Sequence, residues 1–86
     1  MAPASIDIVP NSFSYNVKTG VSNVRYISTN GTYYIIGANR KHKVWVIEHT
    51  KHNAHNMSDE KAAAFIEKHC SNDILEHLFY LANLTE

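Results

Sequence analysis

One cysteine, two prolines and three glycines stand in this 86-residue chain, and each shortage removes a class of protein. The lone Cys70 cannot close an intramolecular disulfide, which excludes a disulfide-stapled secreted scaffold and points to a reducing compartment. The glycines, Gly20, Gly31 and Gly37, are isolated, so no glycine-rich loop can cradle a phosphate, and each reads as a turn. Neither sign of charge is in excess: eight Lys and Arg face eight Asp and Glu. That balance excludes a polybasic chain that holds nucleic acid by bulk attraction, and equally an acidic mimic of DNA. No apolar run approaches the about 18–20 residues that a membrane-spanning helix needs. The first five residues lack the basic start and apolar stretch of a secretory signal. Asn30, Asn56 and Asn83 each head an Asn-x-Ser/Thr triplet, but without export they are acceptors in name only. These absences predict a cytoplasmic protein.

What is present suits a folded chain. Hydrophobic residues make up 44% and charged residues 19%, enough to build one core and far from a disordered composition. The length leaves no room for a second core, so residues 1–86 are expected to form a single domain.

Two periodicities divide that domain. Phe13, Tyr15 and Val17 alternate with polar neighbours, as in a half-buried strand. Val24 to Thr29 reads as a second strand, Thr32 to Ile36 as a third and Lys43 to His49 as a fourth, with Asn30-Gly31 as a hairpin signal. Ile6 to Val9 adds an extended arm or edge strand ending at Pro10. Residues 50–56 are polar and read as a loop. Beyond it, Asn56 or Ser58 caps a helix bearing Asp59 and Glu60 in its first turn, with Ala62, Phe65, Ile66 and His69 at helical spacing. Asp73 and Glu76 are spaced as a capping box for a second, strongly apolar helix. The expected fold is therefore α+β: an antiparallel meander of about four strands over residues 12–49, preceded by the arm at 1–11. Two short helices over residues 57–83 then pack on one sheet face. The element order resembles that of small three-stranded sheet-plus-helix DNA-binding modules, with no family motif to carry residues across.

Reactive groups are present without a pattern. His49, His52 and His55 recur every third residue and are weak candidate metal ligands, because a closed zinc site needs four ligands at matching spacing and no second cysteine exists. Cys70 and His69 are adjacent, yet neighbouring helical residues point in different directions and do not form a nucleophile–base pair. No motif calls for a cofactor, a small-molecule substrate or a membrane, and the chain reads as non-enzymatic.

Charge is segregated. Residues 18–52 hold Lys18, Arg25, Arg40, Lys41, Lys43 and Lys51 against Glu48. Residues 53–86 hold Lys61 and Lys68 against Asp59, Glu60, Glu67, Asp73, Glu76 and Glu86. A basic sheet thus adjoins an acidic helical pair, a dipole suited to head-to-tail contact or to an acidic partner.

The alternation also gives the sheet two apolar faces. Val44 and Val46 oppose Trp45 and Ile47, Tyr34 and Ile36 oppose Tyr33 and Ile35, and Val24 and Tyr26 oppose Ile27. Two short helices cover one such face and not both, unless residues 1–12 fold back over the other. The uncovered face would expose aromatics that monomers rarely leave bare. The predicted binding surface therefore bears Tyr33, Ile35, Trp45 and Ile47, with Arg40, Lys41 and Lys43 at its rim. The expected role is that of an inhibitor, adaptor or regulatory accessory protein, of the kind viruses and phages deploy, acting on a protein partner or through a homodimer. The alternative is a nucleic-acid-binding module using the basic, aromatic sheet and the loop 39–43.

Overall fold

The computed structural model describes residues 5–85. Six strands and two helices follow in chain order: β1 (Ile6–Ile8), β2 (Ser14–Asn16), β3 (Val21–Ser28), β4 (Tyr33–Asn39), β5 (Val44–His49), β6 (Ala54–Asn56), α1 (Asp59–His69) and α2 (Asn72–Ala82). All strands belong to one antiparallel sheet in which β3, β4, β5 and β6 follow as a meander, while β1 and β2 both pair with β3. The expected class and element order hold, with five to six strands in place of four.

The edge ribbon explains part of the difference. β1 and β2 lie along opposite halves of β3, separated by a bulge in which Asn11 takes a φ of 60°. There Ser12 Oγ donates to the Val9 carbonyl at 2.7 Å and accepts from the Arg25 amide at 3.1 Å. A side chain thus stands in for the interrupted ladder. The arm is an edge strand and not a cover, since residues 5–12 run beside β3; residues 1–4 lie outside the described residues.

Two other differences lie further along. β4 continues through Gly37 to Asn39 where the glycine predicts a turn, and residues 54–56 of the expected loop form β6. The left-handed backbone needed at turns occurs instead at Gly20 (φ 68°), at Gly31 (φ 92°) and, between β4 and β5, at His42 (φ 61°).

The helices cover one face. Val24, Ile36 and Val46 form a cross-strand row, each completely buried, with Tyr26 and Leu78 beside them. Burying each such side chain contributes about 1.5–3 kcal/mol. α2 lies over β2, β3 and β4, and α1 over β5. Small residues admit α2 closely: Ser22 and Ala38 face each other across β3 and β4, both fully buried. Ser22 Oγ donates to the Leu78 carbonyl at 2.6 Å. Ser58 caps α1 by accepting from the Lys61 amide, and Ser71 caps α2 by accepting from the Ile74 amide, both at 3.3 Å. The expected Asp73–Glu76 box is therefore displaced: α2 begins earlier, and Asp73 serves as a first-turn acid.

Candidate partner-binding face

On the side away from the helices, register brings three rows of residues together. Ile27 pairs with Tyr33 and Tyr33 with His49; Arg25 pairs with Ile35 and Ile35 with Ile47; Asn23 pairs with Gly37 and Gly37 with Trp45. Tyr33, Ile35, Trp45 and Ile47 therefore share one face. Each is half-buried by its neighbours, while Ile27 is 46% exposed. No described element lies over them.

The aromatics are held in set orientations. The Tyr33 and His49 rings stack with centroids 4.6 Å apart and planes 3° from parallel. The Arg25 guanidinium lies 5.3 Å from the Tyr33 centroid, within cation–π range. Trp45 lies over Gly37 so closely that a Cβ there would overlap the indole at Nε1, Cε2 and Cζ2. Glycine is required here for close approach and not for a turn. The bulge walls one side, where a hollow of about 380 Å³ is lined by residues 9–14, Asn23, Arg25 and Ile35. On the other side Trp45, Lys43, Asn39, Asn56, Met57 and Asp59 line a cleft of about 440 Å³.

The expected rim is only partly present. Lys43 stands beside Trp45, and Lys41 is exposed at the turn between β4 and β5. Arg40 belongs elsewhere. It projects to the helix side, where Nε donates to the Ala82 carbonyl at 2.8 Å and Nη2 donates to the carbonyls of Leu84 and Val17. The α2 C-terminus attracts it, because the last turn presents unpaired carbonyls and the negative end of the helix dipole. Arg25 and Ile27 take the places on the face that the sequence-based selection omits; strand parity along β3 is the signal that locates them.

The histidine triplet is dispersed. His49 lies on the open face, His52 in the loop after β5, and His55 on the opposite face, paired with Glu48 at 3.0 Å. The cause is β6, whose register sets Glu48 against His55 and His49 against Ala54. Among the described residues no group of three His, Cys, Asp or Glu side chains could hold a metal ion.

Cys70 and His69 also part company. His69 packs on Phe65 at 4.7 Å between ring centroids, while Cys70 turns toward the core beside Tyr26. Burial pushes the Cys70 thiol above its ordinary value, partly offset by the Tyr26 hydroxyl, so little thiolate forms at neutral pH. Burial, and then the neighbouring thiol, raises the Tyr26 phenol as well. Among the described residues its hydroxyl makes no hydrogen bond of ordinary geometry.

No protein-family model, no curated protein and no solved structure matches the chain. Among the described residues, no helix is long and apolar enough to cross a membrane.

Proposed function

We propose that the protein acts by binding another protein chain through its open sheet face, as an inhibitor, adaptor or regulatory accessory protein with no chemistry of its own. One observation carries this reading: Ile27, Tyr33, Ile35, Trp45 and Ile47 lie contiguously on a sheet face that no described element covers. Apolar and aromatic side chains grouped in this way match the composition of interface cores, in which charge is depleted. The single cysteine supports a reducing compartment such as the cytoplasm.

The nucleic-acid alternative would use Tyr33 and Trp45 as stacking platforms and Lys41 and Lys43 for phosphates. It has less support, because the Arg40 guanidinium is engaged by three carbonyls on the other side. Within the paired strands Arg25 is the single Lys or Arg on the open face.

The test is photo-crosslinking from the face. A benzophenone amino acid replaces Ile47 in the native host, with Ala64 on the exposed side of α1 as the control position. The expected result is a discrete, nuclease-resistant protein adduct from position 47 and none from position 64. Equal labelling from both positions refutes the reading, and an adduct lost on nuclease treatment favours nucleic acid.

A further inference from the structure

We propose that the chain covering the open face is a second copy of this protein, packed sheet to sheet about a two-fold axis. The inference rests on the reading of this face as a protein-binding surface and names its occupant. Two properties of the face point to self-association.

The first is its charge. Within the paired strands, the Lys, Arg, Asp and Glu side chains on this face are Arg25 on β3 and Asp7 on β1, one of each sign. Neither makes an ion pair among the described residues. Arg25 leans toward Tyr33 on β4, the side of β3 opposite β1, so the pair does not close within one chain. A two-fold interface is isologous: whatever Arg25 of one copy meets, its counterpart meets in reverse. A face carrying one cation and one anion is complementary to itself, and each Arg25 can meet the Asp7 of the other copy.

The second is its size. Five ribbons, with β1 and β2 sharing one, at about 4.8 Å spacing and with a mean of about six residues at about 3.4 Å each give a face of about 24 by 20 Å. Its accessible area exceeds that projection of about 480 Å², bringing it near the about 600 Å² per partner at the low end of standard interfaces. Sheets stack about 10 Å apart, which tall side chains would prevent. Gly37 adds no side chain to the face, and the Trp45 indole packs closely against it.

The experiment is sedimentation equilibrium of the full chain from low micromolar to millimolar concentration. The wild type is expected to pass from monomer to dimer. Ile27→Asp, at the most exposed apolar position of the face, is expected to remain monomeric with an unchanged far-ultraviolet spectrum. Asp7→Arg and Arg25→Asp are each expected to raise the dissociation constant at least about tenfold by setting like charges together, and the double exchange to restore most of the loss. These surface exchanges keep the test valid should Ile27→Asp unfold. A wild type that is monomeric at millimolar concentration overturns the proposal, as does a double exchange no tighter than either single one. A monomeric wild type that still gives the position-47 protein adduct removes the second copy and keeps the protein-binding face. A monomer with no adduct removes both.

Discussion

Gly37→Ala tests the contact on which the shape of the open face depends. The added methyl would overlap the indole of Trp45, and the indole yields more easily than the backbone, because Trp45 is half-buried at an open face while Gly37 is buried in a central strand. Rotating the ring off the sheet re-exposes about 60–80 Å² of apolar surface, or about 1.5–2 kcal/mol at about 25 cal/mol per Å². Against this, alanine holds an extended backbone about 0.5–1 kcal/mol better than glycine. The net expectation is a loss of about 1 kcal/mol, lowering the melting temperature by about 4–8 °C in a domain of this size. Trp45 is the only tryptophan in the chain, so fluorescence reports this contact alone, and its emission should shift to longer wavelength. The decisive comparison repeats Gly37→Ala in a Trp45→Ala background. With no ring to displace, the penalty disappears and the substitution becomes stabilising by about 0.5–1 kcal/mol. A destabilisation of similar size in both backgrounds, measured by urea unfolding, would refute the argument.

Two further predictions concern the other face. Arg40→Gln removes a charged donor from the Ala82 and Leu84 carbonyls and should cost about 1.5–3 kcal/mol. Hydrogen exchange should then accelerate in the last turn of α2 while the open face is unaffected. For alkaline pH, burial keeps the Cys70 thiol and the Tyr26 phenol protonated in the fold above their ordinary values of 9.0 and 10.0. The unfolded chain therefore releases these protons first, so stability is full below about pH 9 and falls above it. Tyr26→Phe removes one of the two groups together with a buried hydroxyl that makes no hydrogen bond of ordinary geometry among the described residues. It should flatten the decline and match or exceed the wild type in urea melts at neutral pH.

Which parts of this structure can be read from the chain depends on how far away the deciding partner lies. Val44-Trp45-Val46-Ile47 carries its own parity, so the two faces of β5 follow from alternation alone. Asn30-Gly31 names its hairpin, and Gly31 takes the positive φ that such turns need. β6 carries no comparable signal: Ala54, His55 and Asn56 are all exposed, and only pairing with β5 makes them a strand. Gly37 reads as a turn because its reason for being glycine, the Trp45 ring, arrives from the neighbouring strand. Arg40 reads as a rim cation because the carbonyls that hold it come from Ala82 and Leu84, more than forty residues onward. Ser71 precedes the apparent Asp73–Glu76 box, and both patterns are plausible in sequence; the geometry of the first turn selects Ser71.

The segregated charge of the chain has a different destination from the one its sequence suggests. Arg40 spends its donors on the end of α2, Glu48 meets His55, and Lys43 lines one cleft with Asp59 of the acidic first turn of α1. Arg40 therefore spends its charge inside one molecule, and Glu48 is met within the sheet. The paired strands of the open face carry Arg25 and Asp7, so the proposed association there would be driven by burial of Ile27, Ile35, Ile47 and the aromatics. Apolar burial is insensitive to screening, and the two symmetry-related ion pairs enclosed by such an interface are screened far less than exposed charges. The dissociation constant on this face should accordingly change less than about threefold between about 50 and 200 mM salt, whereas an interface neutralising six or more phosphates would weaken by about a thousandfold over the same interval. A steep salt slope that falls when Lys41 and Lys43 are neutralised would overturn the apolar account and assign the basic turn between β4 and β5 to a polyanion.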